Sequence, residues 1–130
     1  MKLKDQVCSL ELSKQLKELE VKQESLFVWY PAVDGYNCGI WNEPTTADIV
    51  PEVGAISAFT VAELGEMLPM MIKNGYLELG NDSYGWFCAY RKEEADWDTK
   101  DVVGIVRDKN EANARAKMLV YLLEHKVINL

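Results

Sequence analysis

From Cys8 the apolar positions recur at intervals of four, four and three, through Leu12, Leu16 and Leu19, while Glu11, Lys14 and Glu18 fall elsewhere on the wheel. That spacing predicts a helix over 9–20 with Ser9 as its cap. Leu26–Tyr30, closed by Pro31, and Tyr36–Trp41 are runs of aromatic and β-branched character on either side of Asp34-Gly35, which reads as a β-hairpin. Residues 42–57 hold Pro44, Pro51 and Gly54 without a sustained period, so they read as loop with room for one short edge strand. Thr60 and Glu63 have the spacing of a capping box, and Val61, Leu64, Leu68, Met71 and Ile72 form the stripe of a second helix. Pro69 should stop or kink it near Leu68. Asn74-Gly75 suits either the cap of a continued helix or a tight hairpin turn, and the spacing of Met71 and Ile72 favours the cap.

Tyr76–Leu79 and Tyr84–Lys92 flank the turn cluster Gly80-Asn81-Asp82-Ser83, and Asp101–Val106 follows as another strand. The last helix starts after Asp108 or Asn110 and carries Ala112, Ala116, Leu119, Val120, Leu123 and Val127 on one stripe. A second apolar shoulder, Ala114, Met118, Tyr121 and Leu122, lies roughly opposite. The order α-ββ-α-βββ-α predicts a single α+β domain over 1–130, with three helices on one antiparallel sheet of about five strands. Five strands span roughly 24 Å and two helices cover about 20 Å, so one face of the sheet should be only partly covered. Tyr84, Trp86, Cys88 and Tyr90 alternate against Phe87 and Ala89, as Phe27 and Trp29 do against Leu26, Val28 and Tyr30. The surplus apolar surface points to partner contact through Trp29, Trp86 and Tyr90 on the sheet, or through Met118, Tyr121 and Leu122 on the last helix.

Composition narrows the class. With 130 residues, 48% of them hydrophobic and 27% charged, the chain is a packed globule and too apolar to be disordered. Its 14 basic and 21 acidic side chains leave a net charge of −7. The acidity is concentrated in residues 26–100, with 12 acidic and 4 basic side chains against 9 and 10 in the flanks. Direct nucleic-acid binding is disfavoured by that balance, whereas a basic protein partner, or a host DNA-binding protein occupied by a nucleic-acid mimic, fits it. The longest apolar run, Met118–Leu123, is six residues, and no apolar segment follows the charged N-terminus, so a cytoplasmic protein without membrane contact is expected.

The candidate chemistry is sparse. Cys8, Cys38, Cys88 and His125 are separated by 30, 50 and 37 residues, which lacks the short ligand pairs of structural zinc, so no metal or cofactor is expected. Buried thiols are the preferred reading, although Cys38 or Cys88 paired with His125 would be the nucleophile of a small enzyme. The acidic stretch Glu93, Glu94, Asp96, Asp98 and Asp101 has Asp101 where a calcium loop needs Gly and Arg107 where it needs Glu, and reads as a solvated loop.

Three blocks, VCSLELSKQLKELEVKQESLF at 7–27, ISAFTVAELGEMLP at 56–69 and NEANARAKMLVYLLEHKVI at 110–128, resemble a family of small proteins encoded in bacteriophage and prophage genomes. They cover 54 of the 130 residues. The family is functionally uncharacterised, so the resemblance implies a bacterial host cytoplasm and carries no site residues. This chain has Glu20 where the family has Gly, and Asn110 where it has Thr. The resulting expectation is a non-enzymatic protein-interaction module that binds a protein or a second copy. A nucleic-acid mimic and a Cys–His enzyme are the alternatives.

Overall fold

The computed structural model describes residues 2–33, 35–40, 55–72, 75–92 and 102–130. Among them lie α1 (Leu10–Glu18), β1 (Phe27–Ala32), β2 (Gly35–Ile40), β3 (Ile56–Ala58), α2 (Val61–Met67), β4 (Met71–Ile72), β5 (Gly75–Asp82), β6 (Gly85–Lys92), β7 (Val102–Asp108) and α3 (Glu111–Glu124). The fold is α+β and every strand pairing is antiparallel. The strands divide into two sheets, β2-β1-β3 and β4-β5-β6-β7, where one sheet of about five strands was expected.

Capping decides where the helices begin. The Ser9 hydroxyl accepts from the Leu12 N–H, Thr60 and Glu63 close the reciprocal box, and the Asn110 side chain accepts from the Asn113 N–H. Both longer helices end in a Schellman arrangement without glycine. The Val21 N–H reaches the Leu16 carbonyl at 3.0 Å and the Glu20 N–H that of Lys17 at 3.0 Å, with Glu20 at φ 66°. Val127 and Lys126 repeat the pattern on Leu122 and Leu123, with Lys126 at φ 55°. The first helix therefore stops without a glycine, and Glu20 bears the strain of the left-handed conformation.

Two expectations are corrected along the chain. The second helix does not continue past Pro69: Leu68 is already extended at ψ 121°, as a residue before proline prefers, and Met71 and Ile72 pair with Tyr76 and Gly75 as a strand. The Gly80–Ser83 cluster is not the turn. Gly80, Asn81 and Asp82 pair with Phe87, Trp86 and Gly85, and the chain turns at Ser83 and Tyr84, where the Asp82 carboxylate accepts from the Tyr84 N–H. The short strand foreseen in 42–57 is β3; residues 42–54 and the acidic stretch 93–101 lie outside the described residues.

The helices gather on one face of the four-stranded sheet. Cys88 and Tyr90 of β6 meet Leu16 of α1, Leu64 of α2 and Met118, Leu119 and Leu122 of α3 in one buried cluster, edged by Leu77 and Val106. Gly104 lets the Tyr121 ring lie against β7, since a Cβ there would stand 3.2 Å from the ring. The three-stranded sheet is tied to this body through polar contacts. The Trp29 indole donates to the Cys8 carbonyl at 3.0 Å, and Gln23 accepts from the Ser57 N–H at 2.9 Å.

Candidate interaction surface

The opposite face of the four-stranded sheet carries no helix among the described residues. Alternation and register place Met71, Tyr76, Glu78, Gly80 and Asp82 on it, with Arg91, Ala89 and Phe87 from β6 and Ile105 and Arg107 from β7. Met71, Tyr76 and Ile105 are 54%, 48% and 43% exposed, and Tyr84 in the adjoining turn is 79% exposed. Phe87 lies flat across β5 because Gly80 has no side chain; a Cβ there would come within 2.6 Å of the ring.

Two ion pairs lace this apolar ground. Arg91 donates to Glu78 at 2.7 Å, and Arg107 grips both Asp82 oxygens, at 2.9 and 2.7 Å. The Arg107 guanidinium also sits 5.7 Å from the Tyr84 ring centroid and 5.4 Å from that of Phe87. That guanidinium, seconded by the Tyr84 amide, holds the Asp82 carboxyl below its ordinary titration range. Glu78, Asp82, Phe87, Ile105 and Arg107 line a concavity of about 310 Å³. The surface is thus aromatic and aliphatic, with opposite charges arranged and paired in advance.

The residues expected at a partner contact fall elsewhere. Tyr90, Met118 and Leu122 are fully buried, so none of them meets a partner in this fold. The second shoulder of the last helix is apolar because the helix is wedged between α1, α2 and the sheet, not because a partner is missing. The Tyr90 hydroxyl is also engaged, donating to the Pro69 carbonyl at 2.7 Å. Tyr121 is half-buried, its ring 4.3 Å from that of His125. Trp29 is half-buried over the start of α1, and Trp86, also half-buried, lines a concavity of about 390 Å³ with Val61 and Ala112, on the helix side of the sheet.

Burial raises the titration range of all three thiols. Burial pushes Cys88 up to about 12 and Cys38 up to about 11, so both are protonated at neutral pH, and His125 contributes to neither. Cys8 is buried as well, its sulfur 3.1 Å from the Ser13 hydroxyl, and desolvation raises it too. Among the described residues no group of three His, Cys, Asp or Glu side chains stands close enough to hold a metal ion. No described helix is long and apolar enough to cross a membrane.

Sequence reasoning missed this surface because it placed Met71 on a helical stripe and ended the two strands at Leu79 and Val106, short of Asp82 and Arg107. A period-two reading carried through 76–82 joins Tyr76, Glu78, Gly80 and Asp82 on one face and would have found the surface. Comparison of the chain with known protein families, with curated proteins and with solved structures finds no match.

Proposed function

We propose that this chain is a phage-type protein-interaction module that works by docking, without covalent chemistry, through the outer face of its four-stranded sheet. The observation that carries this reading is the gathering of Met71, Tyr76, Ile105 and Tyr84, all exposed, on and beside a sheet face whose other side holds the whole helical core. Exposed apolar side chains laced with arginine and tyrosine have the composition of contact-surface centres. The aromatic sheet surface expected from the sequence is retained in this reading, moved from the Trp86 and Tyr90 side to the Tyr76 and Phe87 side. The high values of Cys38 and Cys88 weigh against the enzyme reading.

A Tyr76→Ser, Ile105→Glu double variant tests the reading. Used as bait in bacterial lysate and measured for solution mass, it should lose proteins or association that the wild-type chain shows, with its far-UV circular dichroism unchanged. A variant indistinguishable from wild type in both measurements would overturn the proposal.

A further inference from the structure

The outer face has an internal order that identifies an occupant. Counting along the strands, the register sets four levels: Tyr76 with Arg91; Glu78 with Ala89 and Ile105; Gly80 with Phe87 and Arg107; Asp82 with Gly85. Levels are about 6.8 Å apart and neighbouring strands about 4.8 Å apart. Their charges run positive, negative, positive, negative, as Arg91, Glu78, Arg107 and Asp82. A series that alternates over an even number of levels becomes its own complement when reversed.

From this antisymmetry we infer that the face binds a second copy of the chain, turned over by a two-fold axis that crosses the strands between the second and third levels. The inference rests on the docking role proposed for this face. Reversal brings Arg91 to the level of Asp82 on the other copy, one strand to the side, and Glu78 to the level of Arg107, two strands to the side. Arginine side chains span those offsets between sheets packed about 10 Å apart. Because the axis repeats every contact, the pairing is isologous and closes at two copies. The four charges of the face sum to zero in a chain of net charge −7, so the two chains meet on uncharged ground.

Sedimentation velocity on the purified full chain provides the measurement. At about 100 µM the wild type should sediment at twice 14.8 kDa and dissociate on dilution. Arg91→Glu alone and Asp82→Arg alone each place like charges across both symmetry-related contacts and should weaken the dimer at least about 10-fold. Mixed in equal amounts they should pair with each other, since the glutamate introduced by Arg91→Glu in one chain then faces the arginine introduced by Asp82→Arg in the other, while the second contact is the native one. Ile105→Glu should also dissociate the dimer. Full-length mixtures that recover association cannot consist of unfolded chains, which guards against a variant that fails to fold. A wild type that stays monomeric at that concentration, a dimer indifferent to all three variants, or a mixture that fails to recover would each overturn the inference. If a monomeric wild type retained a lysate protein that the Tyr76→Ser, Ile105→Glu variant lost, only the second copy would fall and the docking role would stand.

Discussion

The two faces of β6 are built from the same kinds of residue and do opposite work. On one side Cys88 and Tyr90 lie under three helices with no exposed area; on the other Phe87 lies half-buried between Gly80 and Arg107, beside an exposed Ile105. The difference lies in what sits above them. The covered side is closed by Leu64, Met118, Leu119 and Leu122, whereas the open side is finished by ion pairs anchored in the sheet itself. Aromatic content alone does not identify a contact surface: the side richer in aromatics by sequence, with Trp86 and Tyr90, is the one the chain uses for itself.

Substitution on the two sides should separate them sharply. Leu119→Ala, under the covered face, should cost about 3 kcal/mol in chemical denaturation, because the cavity forms where nothing can collapse into it. Ile105→Ala on the open face should cost under about 1 kcal/mol, and equal costs would mean that the open face is packed in solution. Tyr90→Phe keeps the ring and removes the hydroxyl that serves the Pro69 carbonyl, so a loss of about 1–2 kcal/mol is expected, with the helix-to-strand connection exchanging amide protons faster.

The pH response sharpens the comparison at the edge shared by both faces. Burial raises the titration range of Asp108, but the Asn110 amide, Lys117 at 2.9 Å and Asn113 outweigh it, and the carboxyl ends below its ordinary 3.8. A carboxyl depressed in the folded state adds stability above its unfolded value and loses it as the pH falls through the folded one. Asp108→Asn should therefore lower the melting temperature at neutral pH and leave less of it to be lost on acidification below about pH 4. A variant with the wild-type acid profile would remove Asp108 from that account. The smallest effect is expected at Glu20, away from both faces. Glu20→Gly relieves the φ of 66° and should stabilise by about 0.5–1 kcal/mol, read as a rise in melting temperature.

Much of the fold was legible because its signals are local. Ser9, Thr60 with Glu63, and Asn110 cap helices by bonds that span three residues, so no distant part of the chain takes part in the choice. The hairpin of β1 and β2 follows from the aromatic runs about Asp34-Gly35, and among the described residues β3 pairs β1 only as far as Trp29, short of Pro31. The end of β5 was not legible. Gly80, Asn81, Asp82 and Ser83 are all turn formers, and only the Phe87 ring lying over Gly80 and the Arg107 grip on Asp82 make strand the better state for the first three. Met71 and Ile72 satisfy a helical stripe and a two-residue strand equally well, and their partner Tyr76 decided between them.

Periodicity and capping, which act within a few residues, determined from the sequence that this is an α+β chain, where its helices begin, and which side chains alternate along β6. Only the tertiary structure decided that the strands form two sheets, that the broad apolar helix α3 is enclosed on both shoulders, and that the Phe87 side of β6 carries no helix among the described residues. Those outcomes depend on which surfaces compete for the same helices. Hydrophobic burial has no direction of its own, so the side that is covered is chosen by shape and chain connection and not by composition.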